Sequence, residues 1–260
     1  GPMVFEELGA TVISINNTPD GNNINDKCGS THPESLQKAV VEHNADLGLA
    51  YDGDADRLIS VNEKGQIVDG DHIMILSAIY LKKHNKLAQD TLVVTVMSNI
   101  GLVIAAKENN IELATTAVGD RYVLEEMKNK GYNLGGEQSG HMIFLDYNTT
   151  GDGVLSSLVL AQIVKEEGKT LSELASVMTQ YPQVLVNARI KNENKNRYME
   201  YPEIKSEIER IEKLLNGCGR VLIRPSGTEP LVRVMLEGKE EGQIKELATN
   251  LANLIQEKLS

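Results

Sequence analysis

The run Thr91-Leu92-Val93-Val94-Thr95-Val96, with the segments Ile100 to Asn109, Ile111 to Ala117 and Arg121 to Lys130 behind it, decides the fold. Thr91 to Val96 is a β-branched strand. Ile100 to Asn109 reads as a helix, Ile111 to Ala117 as strand again, and Arg121 to Lys130 as a second helix. Such alternation predicts a mostly parallel sheet with helices on both faces. Just upstream, Asp71 is expected to cap a helix running through Leu81. Downstream, helices over Leu155 to Lys165 and from Leu171 to about Thr179 complete the series.

Nearer the start, Val4 to Leu8 reads as the end of a helix stopped by Gly9, and Thr11 to Ile15 as a strand. The strand that should precede that helix is missing, so the chain is expected to begin inside a domain. Asn16 to Pro33 is rich in Asn, Gly, Asp and Pro and reads as loop. A helix starts at Pro33 and Glu34, with Leu36, Val40 and Val41 as its apolar positions. Ala45 to Tyr51 is a short strand, and Ile59 to Val68 is a hairpin turning at Glu63-Lys64-Gly65-Gln66. Tyr181-Pro182 marks a boundary. Beyond it, strands at Val184 to Ile190, Arg220 to Arg224 and Leu231 to Leu236 join a helix with the stripe Ile204, Ile208, Ile211, Leu215 and a final helix through Leu254, a small β-α-β-β-α unit. The expected fold class is α/β: two αβα domains with mixed, mostly parallel sheets, the first incomplete, plus a C-terminal α+β domain. The expected domain limits are 1–66, 67–181 and 182–260.

Composition narrows the function. The 260 residues carry 37 acidic and 26 basic side chains, a net charge of −11, with no Trp and 2 Phe. That disfavours wrapping or stacking on nucleic acid, whereas a local arginine cluster can still bind a small anion. The richest apolar run, Ile73 to Leu81, falls far short of the roughly 20 residues of a membrane helix, so no membrane insertion is expected. Cys28 and Cys218 show no metal spacing, and a reduced, cytoplasmic protein is expected. His32, His43, His72 and His84 show no ligand spacing either.

Three motifs can carry chemistry. In Asp52-Gly53-Asp54-Ala55-Asp56-Arg57, three carboxylates at alternate positions cannot all ionise close together without a counter-charge. A divalent cation with an all-oxygen shell supplies it, and Mg²⁺ suits. A calcium hand matches at Ile59 and Glu63 but has Arg57 where its glycine belongs. In Gly135-Gly136-Glu137-Gln138-Ser139-Gly140-His141, Glu137 and Ser139 can hold vicinal sugar hydroxyls, and His141 can shuttle a proton; a plain turn between strands fits the same residues. In Arg224-Pro225-Ser226-Gly227-Thr228-Glu229-Pro230, with Arg233 beyond, an arginine, two hydroxyls and a glycine-opened backbone form a phosphate cradle; the bland reading is a hairpin loop with Arg224 paired to Glu229. Gly119-Asp120-Arg121 opens a helix after a strand, where an anion or a simple Asp cap fits.

A metal loop, a sugar-hydroxyl loop and a phosphate cradle, in that order, resemble the α-D-phosphohexomutase superfamily. The segments Asn23 to Glu34, Val118-Gly119-Asp120-Arg121-Tyr122-Val123 and Gly136-Glu137-Gln138-Ser139-Gly140-His141 are similar to its bacterial phosphoglucosamine mutase branch. The resemblance implies a four-domain enzyme that interconverts glucosamine 6-phosphate and glucosamine 1-phosphate on the route to UDP-N-acetylglucosamine and peptidoglycan. A phosphoserine donates the phosphoryl group and the sugar passes through a 1,6-bisphosphate. On this resemblance Asp52, Asp54 and Asp56 are metal ligands and Arg57 stabilises the phosphoryl charge. Glu137 and Ser139 grip the sugar, and His141 is an acid or base. Arg224, Ser226, Gly227, Thr228 and Arg233 hold the phosphate not in transfer, and Gly119, Asp120 and Arg121 form a candidate substrate loop. The superfamily's nucleophile lies in a Thr-Arg-x-Ser-Gly type motif, which these 260 residues lack. The chain is therefore expected to be a C-terminal fragment holding part of domain two and all of domains three and four, inactive alone. Rival expectations are a phosphomannomutase or phosphoglucomutase of the same superfamily, and a binding module for a regulatory diadenylate cyclase. A homodimer through the broken sheet edge is a further partner expectation.

Overall fold

The computed structural model describes residues 1–260. Its elements run, in chain order, α1 (Pro2–Glu7), α2 (Glu34–His43), β1 (Leu47–Tyr51), β2 (Leu58–Asn62), β3 (Ile67–Val68), α3 (Gly70–Lys83), β4 (Thr91–Thr95), α4 (Ile100–Glu108), β5 (Glu112–Thr116) and α5 (Asp120–Lys130). There follow β6 (Leu134–Gly136), β7 (Met142–Phe144), α6 (Gly153–Glu167), α7 (Leu171–Ala175), β8 (Gln183–Arg189), α8 (Pro202–Leu215), β9 (Arg220–Pro225), β10 (Leu231–Glu237) and α9 (Glu241–Leu259). The chain divides into two compact units, one of residues 1–98 and 102–179, the other of 99–101 and 180–260.

The first unit holds two sheets. In the larger, of order β5-β4-β6-β7, β4 pairs parallel with β5 and β6, and β7 closes it antiparallel. The period-two alternation of a strand shows directly in β4. Leu92 and Val94 enter a core with α3, α4 and α6, while Val93 joins Val123, Met127 and Ile143 on the α5 face. This is the sheet covered on both sides that the alternating pattern predicts. The smaller sheet, β1-β2-β3, is antiparallel throughout, because short hairpin links join its strands. Helix α3 is the centre of the unit. Ile73, Met74 and Ile75 are wholly buried, and burying each such side chain is worth about 1.5–3 kcal/mol.

The second unit is a three-stranded antiparallel sheet, β8-β10-β9, with α8 and α9 on one face. Val232, Val234 and Leu236 point into that core with Ile204, Ile211 and Ile244, and Arg233 therefore points to the opposite face of the sheet. Glu237 is wholly buried and accepts hydrogen bonds from Arg220, Gln183, Asn99 and the Ile100 amide.

Local expectations fail at identifiable places. Thr11 to Ile15 is not a strand; no neighbour pairs with it, and β-branched residues make a strand only where a ladder exists. Ile13 accordingly lies 51% exposed. The cap of α3 is Asp69, whose carboxylate accepts from the His72 amide, while Asp71 is buried within the first turn. The cap position of α5 is Gly119, with no side-chain capping bond, not Asp120. Helix α7 stops at Ala175.

Candidate functional site

The acidic loop spans the gap between β1 and β2. It folds back because Asp52 takes the Arg57 amide on its Oδ1 at 3.2 Å and the Ala55 amide on its carbonyl at 3.2 Å. Ala55 sits at φ 58°, a left-handed conformation that costs a side-chain-bearing residue roughly 1–2 kcal/mol. The turn brings Asp52, Asp54 and Asp56 together, with one oxygen of each within 4.8 Å of the others. Burial, followed by the neighbouring Asp52 and Asp54 carboxylates, pushes the Asp56 carboxyl above its ordinary range, and His141 opposes that push. Arg57 supplies part of the missing positive charge, its Nε 3.6 Å from Asp52 and 4.0 Å from Asp56. Three hard carboxylate oxygens with water completing the shell fit Mg²⁺. The calcium-hand alternative fails: strands flank the loop, and both Glu63 oxygens are taken by the amide and hydroxyl of Ser172.

A second loop is bound to the first. Glu137 to Gly140 is the turn of the β6–β7 hairpin, closed by Gly140 N–H to the Glu137 carbonyl at 3.0 Å and Glu137 N–H to the His141 carbonyl at 2.9 Å. Leu58, at the start of β2, donates its amide to the Gly140 carbonyl at 3.0 Å, and Arg57 bridges to His141. Gly140 has φ +96°, and a side chain there would overlap the Leu58 backbone, so glycine alone permits this seam.

His141 is buried, 3% exposed. Its Nε2 accepts from the Gly151 amide at 3.2 Å and lies 3.6 Å from Asp56 Oδ2. Gly151 packs so close that a Cβ would collide with the imidazole. The start of α6 also reaches the acidic loop, through Gly153 N–H to the Ala55 carbonyl at 2.8 Å. The Gly151-Asp152-Gly153 signature, two glycines around the Asp152 cap of α6, is the mark this contact leaves in the sequence.

Glu137 Oε1 accepts from the Gly119 amide at 3.0 Å, which joins the substrate-loop candidate to the sugar-loop candidate. Ser139 is exposed. Asp120 and Arg121 lie on the exposed first turn of α5, with Arg121 paired to Glu125. One line of contacts thus unites Asp52, Asp54, Asp56, Arg57, His141, Glu137 and Gly119. A cleft of about 740 Å³ beside Asp52 and Gly53 is lined by Ile15, Ile24 and Tyr51 among others.

The Arg224 to Arg233 loop belongs to the second unit. Arg224 and Arg233 stand directly opposite in the β9–β10 ladder, and Asn187 of β8 is opposite Arg233 on the other side. Like charges facing across strands are destabilising, so an anion between them would recover that energy. Glu229 lies 3.6 Å from Arg233, and the Arg224–Glu229 pair of the plain hairpin alternative is not formed. Ser226 is 5% exposed; its amide donates to the Leu231 carbonyl and its Oγ accepts from the Glu229 amide, so it holds the loop's shape. Gly227 and Thr228 are exposed at the tip. Lys195, outside the Arg224 to Arg233 motif, donates its Nζ to the Ser226 carbonyl at 2.9 Å.

The α/β scaffold thus presents a triad of carboxylates, a glycine-rich turn with a carboxylate, and a hairpin loop that carries two arginines. Family models cover it: phosphoglucomutase/phosphomannomutase α/β/α domain II matches residues 1–65, domain III residues 69–181 and the C-terminal domain residues 185–254. The chain belongs to this family, the phosphohexomutase superfamily. It is 85% identical over 259 residues to the phosphoglucosamine mutase of Clostridioides difficile strain 630, covering all of this chain and 58% of that protein. The chain thus spans little more than half the length of this curated relative. Among solved structures, it is similar to a phosphoglucomutase/phosphomannomutase family protein of Burkholderia thailandensis, with a TM-score of 0.79 at 22% identity, covering 100% of this chain and 58% of that one. It is also similar to Aspergillus fumigatus N-acetylphosphoglucosamine mutase in complex with GlcNAc-6P and magnesium, with a TM-score of 0.70 at 22% identity, covering 91% and 54%. These two show the shared fold. No helix is long and apolar enough to cross a membrane.

Proposed function

We propose that the chain supplies the metal-, sugar- and phosphate-binding parts of a phosphoglucosamine mutase, which interconverts glucosamine 6-phosphate and glucosamine 1-phosphate through a 1,6-bisphosphate. The observation that carries the reading is the convergence of Asp52, Asp54 and Asp56 beside Arg57. The name of the 85% identical relative supports the substrate. The proposed division is residues 1–66, 67–181 and 182–260, one binding loop in each.

Asp52, Asp54 and Asp56 would hold Mg²⁺, which supplies positive charge against a phosphoryl group in transfer. Arg57, anchored through its amide to Asp52, keeps its side chain 41% exposed and offers its charge to the same phosphoryl oxygens. Glu137 keeps one carboxylate oxygen beyond its bond to Gly119 and, with exposed Ser139, takes sugar hydroxyls beside the Gly119-Asp120-Arg121 loop. Arg224 and Arg233, with Gly227 and Thr228 at the tip and Ser226 holding the turn, grip the phosphate that stays. His141 as placed positions Asp56; serving as acid or base on a hydroxyl requires its loop to open, because the imidazole is buried.

The nucleophilic serine is not among the residues of this chain, so the chain alone is expected to be inactive. The test is isomerisation of glucosamine 1-phosphate with glucosamine 1,6-bisphosphate present. Turnover should be absent with the chain alone and appear when the N-terminal region of a full-length relative is added. Turnover by the pure chain contradicts the reading, and preference for mannose or glucose phosphates in the restored enzyme assigns the sister activities. A homodimer, a diadenylate cyclase partner and a cytoplasmic location belong to the same proposal. Light scattering, cyclase co-purification and cell fractionation test them in turn.

A further inference from the structure

We propose that Lys195 is a third cationic group of the phosphate-binding loop, acting with Arg224 and Arg233; the proposal rests on the reading of that loop as a phosphate site. Lys195 lies 31 residues before Ser226 in sequence, yet its Nζ donates to the Ser226 carbonyl at 2.9 Å. An ammonium carries three donors. One is used on that carbonyl, which leaves two donors and the whole charge beside the loop. The anchor is firm on both sides. Ser226 is buried, and its amide and hydroxyl are bound to Leu231 and Glu229. The segment carrying Lys195 is tied by the Asn194 side chain to the Leu259 carbonyl at 3.0 Å and by the Ile190 amide to the Pro230 carbonyl at 3.0 Å.

Charge points the same way. The chain has a net charge of −11, yet Lys195 and Arg224 form no ion pair within 4 Å, and Arg233 has only Glu229, at 3.6 Å. Three cations around one exposed turn repel one another until an anion arrives. A lysine needed only to satisfy a carbonyl would be replaceable by a neutral donor; one needed for its charge would not. Inorganic phosphate is the simplest ligand that tells these apart.

The experiment titrates the 260-residue chain with inorganic phosphate, following the Gly227 and Thr228 amide resonances, with melting temperatures recorded for each variant. Lys195→Met is expected to weaken phosphate binding about tenfold, the loss of one charge-assisted hydrogen bond. Lys195→Gln, which keeps a donor for the Ser226 carbonyl but not the charge, is expected to lose nearly as much with an unchanged melting temperature. Lys195→Arg is expected to stay within about threefold of the parent chain. Full affinity in Lys195→Gln overturns the proposal while leaving the phosphate reading of the loop intact. No saturable shift at Gly227 and Thr228 in the parent chain overturns the phosphate reading and this proposal with it.

Discussion

Arg224 and Arg233 face each other directly across the β9–β10 ladder, two guanidinium groups on one face of a hairpin. A sheet selected only for stability would place opposite charges, or none, at that register. Arg233→Leu is therefore expected to raise the melting temperature of the second unit by about 2–4 °C, since relieving a like-charge pair is worth a few tenths of a kcal/mol. The same variant should lose phosphate binding. A lower melting temperature together with retained phosphate binding would contradict the assignment. Calorimetry and a phosphate titration on one sample decide it.

Gly140 ties the sugar-loop candidate to the acidic loop. Its φ is +96°, and an added Cβ meets the Leu58 backbone, which cannot move aside as a flexible side-chain end could. Gly140→Ala is expected to cost about 2–4 kcal/mol, combining left-handed strain with overpacking. Urea unfolding measures the loss. Because Leu58 begins β2, the amide shifts of Asp54 and Asp56 should change as well. A change confined to residues 137–141 would show that the two loops are independent.

Glu63 in the first unit and Glu237 in the second should respond to acid with opposite signs. Burial works against ionisation of Glu63, but the Ser172 hydroxyl and amide more than offset it and hold the carboxyl below its usual 4.5. A depressed carboxyl contributes stability that is present above its unfolded value and lost as pH falls through the folded one, from about pH 5 downward. Burial pushes the Glu237 carboxyl above 4.5 despite Arg220. Its contribution is full below the unfolded value and lost as pH rises through the raised folded one. Hydrogen exchange followed from pH 7 to pH 4 should show β10 gaining protection relative to β2. Glu63→Gln should flatten the acid loss around α7, and an unchanged acid profile in that variant would contradict the Glu63 assignment.

Most of the scaffold is legible in the sequence because period and punctuation agree there. The β-branched run at Thr91, the Ile204–Leu215 stripe and the Lys64-Gly65 turn each carry a local cause. What was not legible depended on partners. Thr11 to Ile15 has the composition of a strand but no ladder to join. Asp69 and Asp71 are both competent caps, and only the backbone path selects Asp69. In the site, the acidic triad was readable because charge repulsion between near neighbours is a sequence-local fact. The burial of His141 behind Gly151 and the reach of Lys195 to Ser226 join residues distant in sequence, and no spacing rule announces them.

A titration of the chain with Mn²⁺, a spectroscopic stand-in for Mg²⁺, read by electron paramagnetic resonance with Mg²⁺ as competitor, probes the acidic triad itself. One saturable site is expected, displaced by Mg²⁺ and abolished by Asp54→Asn, whose exposed carboxylate can be changed without disturbing the fold. Mn²⁺ binding that is absent, or that persists undiminished in Asp54→Asn, would contradict the claim that Asp52, Asp54 and Asp56 form a metal centre.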